Sequence, residues 1–414
     1  MLEETLFALV REGFEETTES NRPTLRSEPE WRKVRQTGTS LWLDTGDIEE
    51  AAKLFTMEFE ALTTNNTLLN NEVQKGIYDE LVGETAKVIR ETQPGISESE
   101  LVLEIAFVLN ARHALKLVEQ FGANVSVELH TDLAHDVERS IAYGRRFYAI
   151  CPEKFIIKVP LTPAGFLSAR ALAEEGIPIN FTLGFSARQN YVIARFTKPN
   201  YVNVFMGRLG AFLADNDLGP GDCIGEKATL ATQREVLALR ESGESPSRLI
   251  GASMRSSAQV AALAGLDVFT MPTKVAAQYL ESPAETVSSR IQDDPDVPLA
   301  DGVRFEDFNA NTLWDVPDDL RKAVNGLVAQ DSSSLSPAAI EDHFANAGIG
   351  DLFPRWSEAD LETVTKDGKI PVYETWKERL QAKAIGFDAL MNLSALHSFV
   401  TDQKALDDRI RSFL

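Results

Sequence analysis

The sequence predicts an α/β fold, a (β/α)8 TIM barrel with an N-terminal arm and a helical C-terminal extension. Between residues 40 and 281, eight strand-like runs alternate with helical patterns. Polar residues stand at the carboxyl ends of these runs, where barrels of this kind carry their chemistry. An open doubly wound sheet is the competing fold, but no Gly-x-Gly-x-x-Gly turn follows the first run.

The predicted strands are short apolar runs, most of them rich in β-branched residues. In chain order they are Ser40–Asp44, Phe59–Thr64, Asn124–His130, Phe155–Pro160, Ile179–Phe185, Tyr201–Phe205, Arg248–Met254 and Asp267–Met271. Helix starts follow closely, because Asp47, Ser186 and Ser256 each precede a Glu or Gln by three residues, the spacing of a capping box. Thr162 followed by Pro163 predicts a helix that begins at the proline.

The remaining segments divide the chain into four parts. Residues 1–39 are predicted to form an acidic arm, and residues 40–281 the catalytic barrel. Residues 282–302 are rich in Pro and Asp and predict a linker or long loop. Residues 303–414 predict a helical extension, whose apolar spacing must be buried somewhere. A lid over the barrel mouth, an oligomer contact and the outer barrel wall are the open alternatives.

Composition and charge exclude several classes of protein. The 414 residues are 43% hydrophobic, enough for a sizeable core, and carry a net charge of −22. This charge argues against binding to nucleic acids or anionic membranes. The N-terminal sequence has no long apolar core, so we expect neither a signal peptide nor a membrane span. Two cysteines in a chain of this length predict reduced thiols and a cytoplasmic protein.

Lys158 is the most informative single residue, because it ends the apolar run Phe155–Pro160. Low dielectric surroundings favour a neutral amine, which can attack a ketone and form a Schiff base. The alternative is a strand-end lysine whose stem packs while its ammonium reaches water. Polar residues at equivalent positions of the other strands favour the catalytic interpretation.

These other strand-end residues include two carboxylates, several amides and hydroxyls, and two arginines. They are Asp44, Asn65, Glu128, Asn180, Thr182, Asn203, Arg208, Ser253 and Arg255, with Phe205 among them. The set suits carbonyl chemistry on a polyhydroxylated phosphate, since guanidinium groups bind phosphate with paired hydrogen bonds.

Each of these residues also has an ordinary structural interpretation. Asp44 could cap a helix, although the aspartate three residues later is better placed. Glu128 could be a solvated acid at the barrel edge, because a buried, unpaired carboxylate is costly. Asn65 could occupy a turn, and Arg208 and Arg255 could be surface arginines.

A metal site is not predicted. His130 follows the third strand, but no second His or Cys lies at ligand spacing, so a structural role is expected. Cys151 and Cys223 have no nearby base and are expected to be inert. No cofactor is predicted.

Six segments, in order, resemble the transaldolases, within the wider family that also contains fructose-6-phosphate aldolase. They are Leu41–Thr45, Thr63–Asn65, Ile156–Pro160, Glu174–Leu183, Phe205–Arg208 and Gly251–Arg255, and together they span roughly residues 40–280. The resemblance implies transfer of a dihydroxyacetone unit from a ketose phosphate to an aldose phosphate, in the pentose phosphate pathway. Sugar phosphates are then the expected partners, and a homo-oligomer is left open.

The resemblance also implies a role for each catalytic residue. Lys158 matches the Schiff-base lysine of the family. Asp44 matches the carboxylate that exchanges a proton with the sugar hydroxyl when the carbon–carbon bond breaks. Glu128 matches the acid–base group that acts through a bound water, and Thr182 matches the residue that helps to hold this water.

Binding residues carry over in the same way. Asn65 and Asn180 match residues that bind the dihydroxyacetone part of the substrate. Arg208, Ser253 and Arg255 match the phosphate site.

Two positions depart from the family pattern, and two others separate its branches. Asn66 stands where the family usually has Pro, and Asn203 where a transaldolase typically has Ser near the substrate hydroxyls. Glu128 and Phe205 match the transferase, because the aldolase branch usually carries Gln and Tyr there. A fructose-6-phosphate-type aldolase and a catalytically silent sugar-phosphate-binding or scaffold protein are the alternatives.

Overall fold

Eight parallel strands close into one barrel, in which every strand pairs with its neighbours in the sequence. In this computed structural model, residues 2–16 and 23–414 are described. The strands are β1 (Ser40–Asp44), β2 (Phe59–Thr63), β3 (Asn124–Glu128), β4 (Phe155–Pro160), β5 (Ile179–Thr182), β6 (Tyr201–Phe205), β7 (Arg248–Ala252) and β8 (Val268–Pro272). β1 pairs with β8 and so closes the ring. The predicted (β/α)8 barrel is confirmed.

Helices follow every strand and form a layer around the barrel. Before and within the barrel they are α1 (Leu2–Arg11), α2 (Pro29–Arg35), α3 (Ile48–Leu54), α4 (Asn66–Gln74), α5 (Asp79–Thr92), α6 (Glu98–Phe121), α7 (Val137–Ile150), α8 (Pro163–Glu174), α9 (Ala187–Phe196), α10 (Met206–Asp215), α11 (Ile224–Glu241), α12 (Ala258–Ala262) and α13 (Thr273–Glu281). The extension adds α14 (Asp318–Val328), α15 (Pro337–Asn346), α16 (Glu358–Asp367), α17 (Tyr373–Gln381) and α18 (Phe387–Arg411). Within the described ranges, none of these helices combines the length and apolarity needed to cross a bilayer.

The barrel interior has an apolar layer and, beyond it, a polar one. Successive side chains of a strand point to opposite faces, so every second residue points into the barrel. The apolar layer is a small cluster, separate from the main core, that contains Trp42, Ala61, Ile156, Ile250 and Val268. Two residues later on four of these strands stand Asp44, Thr63, Lys158 and Thr270. The polar side chains therefore lie on the inward face, towards the carboxyl ends of the strands.

Several strands end earlier than predicted, and two of them have a clear backbone cause. β5 ends at Thr182 because Leu183 adopts a left-handed conformation, with φ of 69°. β7 ends at Ala252 because Ser253 does the same, with φ of 62°. A residue with positive φ cannot continue an extended strand, so the chain turns out of the barrel at these points.

Three of the four predicted helix starts are confirmed. Asp47 accepts a hydrogen bond from the Glu50 amide, and Ser186 accepts one from the amide of Gln189. Thr162 caps the helix that begins at its proline. The prediction for Ser256 was wrong, because α12 begins two residues later without a side-chain cap. The Gln259 side chain instead accepts hydrogen bonds from two preceding backbone amides.

Residues 282–302 contain no helix or strand, yet they follow the barrel surface. The Arg290 amide donates to the Ala264 carbonyl, and the Ala300 amide donates to the Leu218 carbonyl. These bonds hold the segment against loops of the barrel. The proposed boundaries between arm, barrel, loop and extension stay predictions.

The extension packs on both the wall and the mouth of the barrel. α14 and α15 contact α9 and α8 on the outer wall. α18 lies across loops at the carboxyl ends of the strands. Asn392 donates to the Leu183 carbonyl after β5, and Gln74 at the end of α4 donates to the Ala405 carbonyl. The apolar spacing of residues 371–414 predicts a long helix or a helix pair, and the structure has the pair, α17 and α18.

A buried ion cluster fixes α18 to the barrel. The guanidinium of Arg188, on α9, donates two hydrogen bonds to the Asp388 carboxylate, at 2.7 and 2.9 Å. Its third nitrogen lies 2.9 Å from Asp351, and the Ser186 hydroxyl also donates to Asp388. The Asp388 side chain is 0% exposed. Charged groups that are buried this completely need every partner, because an unpaired buried charge strongly destabilises the fold.

Replacing Arg188 should therefore strongly destabilise the protein. Arg188→Met keeps the apolar stem but leaves Asp388 and Asp351 buried without their cation. We expect the free energy of unfolding, measured by urea titration, to fall by about 3–5 kcal/mol. Arg355→Met is the matched control, because Arg355 is exposed and pairs with two surface acids. If Arg188→Met lowers the free energy of unfolding no more than this control does, the buried ion cluster does not stabilise the protein.

Candidate active site

A cavity of about 400 Å³ opens at the carboxyl ends of the strands. Nine of the eleven predicted site residues line it: Asp44, Asn65, Lys158, Asn180, Asn203, Phe205, Arg208, Ser253 and Arg255. The other two, Glu128 and Thr182, are buried and do not line the cavity. Predicted site residues from distant segments of the sequence therefore line one cavity.

Lys158 lies in the polar layer of the barrel, on the same face of β4 as the apolar Ile156. Its side chain is 5% exposed, so the alternative in which the ammonium reaches bulk water is wrong. Nζ donates to the Thr64 carbonyl at 3.1 Å and lies 3.7 Å from Oε2 of Glu128. Lys158 lines the cavity, so a ligand bound there can reach this amine.

Glu128 is a buried carboxylate held level with the lysine. The register of β3 and β4 pairs Glu128 with Lys158, and the carboxylate is 3% exposed, so the solvated-acid interpretation is wrong. Burial raises the pKa of Glu128, while Lys158 and a hydrogen bond from the Asn66 amide, at 3.3 Å, oppose this rise. Such a group can hold or release a proton nearer to neutral pH than an ordinary glutamate.

Asp44 stands at the end of a short hydrogen-bonded chain of two threonine hydroxyl groups. The Thr63 hydroxyl donates to Asp44 at 2.6 Å and lies 2.6 Å from the Thr270 hydroxyl, which must then donate to Thr63. Burial raises the pKa of Asp44, against the opposing effects of Lys158, Thr63 and Arg255. Asp44 caps no helix, because Asp47 does so for α3.

A row of side-chain amides lies on the other side of the lysine. Asn180 is level with Lys158 across β4 and β5, and it donates to the Ser126 hydroxyl at 3.1 Å. Its oxygen accepts a hydrogen bond from Asn203 at 3.2 Å. The Asn203 oxygen in turn accepts from the Gly184 amide at 3.4 Å. These bonds use some of the amide donors and acceptors, so only the remaining ones can bind a ligand.

Asn65 and Thr182 complete the predicted polar set. Asn65 lines the cavity and also caps α4, since its side chain accepts from the Leu68 amide at 2.8 Å. Asn65 therefore has a local structural role, and its binding role stays a prediction. The Thr182 hydroxyl is fully buried and has no hydrogen-bond partner among the described residues. A buried hydroxyl of this kind is suited to hold a water or a ligand atom.

Two arginines also line the cavity. Arg208, at the start of α10, is 9% exposed, so the surface interpretation is wrong for this residue. Its burial and the nearby Arg255 lower the pKa of Arg208 to about 10, against the attraction of Asp402. Arg255 itself is exposed, but it lines the same cavity.

Gly207 explains how these two arginines come so close. A Cβ atom at Gly207 would lie 2.1 Å from the Ser253 carbonyl oxygen and 2.6 Å from Nε of Arg255. Only glycine therefore allows the first turn of α10 to pack directly against the loop after β7. The left-handed Ser253 then turns this loop so that Arg255 lines the cavity.

His130 has the structural role predicted for it. Its Nδ1 accepts from the Asp132 amide at 3.1 Å, so Nε2 carries the proton and donates to Asp407 of α18 at 3.2 Å. The ligand atoms of these three residues lie within 4.8 Å of one another. Because hydrogen bonds already use both ring nitrogens, the group links α18 to the barrel.

Sequence reasoning missed three cavity residues in the extension, namely Lys369, Ile370 and Phe399. Phe399 lies 5.8 Å from the guanidinium of Arg208 and 6.0 Å from Nζ of Lys158, measured to the ring centroid. Phe399 lies in a stretch with apolar residues at helical spacing, but this spacing does not distinguish a residue at the site from one in the core. No local sequence pattern marks Lys369 as a site residue.

Sequence comparisons find known proteins similar to this chain over the barrel. The sequence model of a family described as Transaldolase/Fructose-6-phosphate aldolase matches residues 41–312, more than half of the chain. A Transaldolase from Xanthomonas euvesicatoria pv. vesicatoria (strain 85-10) is 31% identical over 234 residues, or 55% of this chain and 71% of the relative. A Transaldolase from Xanthomonas oryzae pv. oryzae (strain PXO99A) is 28% identical over 312 residues, or 73% and 89%. A Probable transaldolase from Thermus thermophilus is 32% identical over 246 residues, or 59% and 91%.

The amide of Asn66 should tune the carboxyl group of Glu128. Asn66→Pro removes this amide at the first position of α4, where proline is tolerated. Because the hydrogen bond lowers the pKa of Glu128, its loss should raise that pKa further. A carbon NMR titration of labelled glutamate, assigned with Glu128→Gln, measures the shift. Asn66→Ala keeps the amide and is the control, so equal titrations in both variants would contradict this role.

Proposed function

Because this chain belongs to the transaldolase/fructose-6-phosphate aldolase family, we propose that it is a transaldolase that acts through a Schiff base on Lys158. It transfers a dihydroxyacetone unit from a ketose phosphate, sedoheptulose 7-phosphate or fructose 6-phosphate, to an aldose phosphate in the pentose phosphate pathway. One observation carries the proposal. A single cavity is lined by Lys158 and Asp44 and by two arginines, Arg208 and Arg255.

The first step is the attack of Lys158 on the ketone. The unprotonated Nζ adds to the carbonyl carbon, and the resulting carbinolamine loses its hydroxyl group as water. Glu128 supplies the proton for this loss through a bound water that Thr182 helps to hold. Its raised pKa and its position 3.7 Å from Nζ support this assignment. The product is a protonated imine between Lys158 and the sugar.

The second step breaks the carbon–carbon bond. Asp44 takes the proton of the sugar hydroxyl, and the electron pair of the breaking bond moves into the imine, which becomes an enamine. An aldose phosphate leaves. The enamine carbon then attacks the aldehyde of a second aldose phosphate, and Asp44 returns its proton to the new hydroxyl. Burial raises the pKa of Asp44, which makes its carboxylate a stronger base for this exchange.

The amides orient the three-carbon unit. Asn65, Asn180 and Asn203 line the cavity beside Lys158 and offer donors and acceptors to the sugar hydroxyls. Asn203 replaces the usual Ser of a transaldolase. It donates to Asn180, so its longer side chain extends the amide row towards β6.

The substrate phosphate is bound by Arg208, Ser253 and Arg255, which line the same cavity. Guanidinium groups suit this task, because their planar donors match the phosphate oxygens. Gly207 allows the first turn of α10, which carries Arg208, to pack against the loop that carries Arg255. An anion there would offset the burial and the repulsion from Arg255 that lower the pKa of Arg208.

An aldolase that releases free dihydroxyacetone is the runner-up. Phe205 lines the cavity but has no hydroxyl to protonate the enamine, and Glu128 is ionisable where the aldolase branch has Gln. Both features favour transfer over release. The intact set of Lys158, Asp44 and Glu128 counts against a silent binding protein. Cys151 and Cys223 are unpaired, in keeping with the cytoplasmic setting proposed.

Lys158 should carry the covalent intermediate. Borohydride reduction with fructose 6-phosphate should label Lys158, and peptide mass analysis locates the label. Lys158→Ala should abolish both labelling and turnover with an aldose phosphate acceptor, because the nucleophile is gone.

The control for this experiment is Lys154→Ala, just before β4, where the ammonium donates to the Gly122 carbonyl. It should keep labelling and turnover. A label on another lysine, or activity in Lys158→Ala, would show that the mechanism is wrong. Release of free dihydroxyacetone at the full rate without an acceptor would instead identify the aldolase.

Arg255 should matter for phosphorylated donors in particular. Arg255→Ala should raise KM for fructose 6-phosphate by about 30-fold, since losing a charge-assisted contact costs about 2 kcal/mol. KM for unphosphorylated fructose should change little. Arg248→Ala, at the exposed opposite end of β7, is the control. Equal losses for both donors would remove the phosphate-site assignment.

A further inference from the structure

We propose that the C-terminal extension supplies a third cation, the Lys369 ammonium, to the end of the cavity that binds the substrate phosphate. This inference rests on the function proposed above. It concerns a residue outside the segment 41–312 that the family model matches. The extension thereby becomes a working part of the substrate site, as well as a structural addition.

The position of Lys369 supports this role. α16 ends at Asp367, and Gly368, with φ of 85°, turns the chain back towards the barrel. Lys369 and Ile370 then line the same cavity as Arg208 and Arg255. The Lys369 side chain is exposed, so its ammonium can move into or out of the cavity.

The backbone of this turn is fixed by the arginine that the lysine would assist. The Lys369 carbonyl accepts a hydrogen bond from Nη1 of Arg208 at 3.1 Å and one from the Ser394 hydroxyl at 3.1 Å. A second guanidinium nitrogen of Arg208 lies 3.4 Å from the Ser398 hydroxyl. Arg208 therefore ties together the barrel, the turn and α18, and it holds Lys369 beside itself.

Charge supplies the independent argument. The chain has a net charge of −22, yet Arg208, Arg255 and Lys369 line one cavity. None of the three forms an ion pair within 4.0 Å among residues 2–16 and 23–414. Asp402 is the acid whose charge acts on Arg208, and it is engaged by the Thr67 hydroxyl. Unneutralised cations grouped in this way favour a multiply charged anion such as a phosphate ester.

The alternative is that Lys369 serves only through its backbone, with its ammonium in bulk water. The two interpretations differ in one respect. If only the carbonyl matters, removing the charge while keeping the stem has no effect on phosphate binding. If the ammonium binds phosphate, the loss is specific to phosphorylated ligands.

Lys369→Met tests this difference. Calorimetric titration with inorganic phosphate should show Kd about tenfold higher than in the unaltered protein, the size expected for one charge-assisted contact. KM for fructose 6-phosphate should rise by a similar factor, whereas KM for unphosphorylated fructose should not change. Lys369→Arg should restore most of the affinity. Lys366→Met, on exposed α16 and away from the cavity, should match the unaltered protein.

The outcomes separate this inference from the proposed function. If Lys369→Met and Lys366→Met bind phosphate equally well while Arg255→Ala binds it weakly, the Lys369 role is wrong and the transaldolase proposal stands. Equal losses for both donors in Lys369→Met would show a structural effect and also overturn the role. If the unaltered protein binds no phosphate and borohydride labels no lysine, the proposed function fails, and this inference fails with it.

Discussion

The register of the closed parallel barrel is the constraint on which the site depends. It sets Glu128 level with Lys158, and Lys158 level with Asn180, on three adjacent strands. Because side chains alternate between the faces of a strand, a slip of one residue would turn Lys158 outward into the helix layer. Ring closure between β1 and β8 prevents such a slip, and it also places Asp44 on the inward face.

The polar layer that results works against the stability of the barrel. Glu128 and Lys158 are buried and Asp44 is partly buried, and burial raises the pKa of both acids. Each group is partly compensated, Asp44 by the Thr63 hydroxyl and Glu128 by the Asn66 amide and by the Lys158 ammonium 3.7 Å away. Functional sites commonly depart from the best local packing in this way, and the surrounding fold supplies the compensating stability. Here that fold includes the apolar layer beneath and the helices outside.

Features with a local signal could be predicted from the sequence, and features made by distant contacts could not. Strands and their polar ends follow a period of two, so Lys158 and Asp44 were visible in short segments. The early ends of β5 and β7 depend on left-handed residues, Leu183 and Ser253, whose side chains do not announce that conformation. Lys369 is held beside the cavity by contacts with distant residues, among them the hydrogen bond from Arg208, 161 residues away, to its carbonyl. No periodicity encodes such a contact.

The buried ion cluster of Arg188 and Asp388 has a consequence for biosynthesis. Its two partners are separated by 200 residues, so the second leaves the ribosome on the order of ten to forty seconds after the first, at typical elongation rates. During that interval the guanidinium has no carboxylate from α18 and must stay hydrated. The barrel can form its strand ladder as soon as β8 has emerged, but its mouth stays unfinished. The part of the cavity wall that α18 supplies, Phe399, is therefore added only after the rest of the barrel has been synthesised.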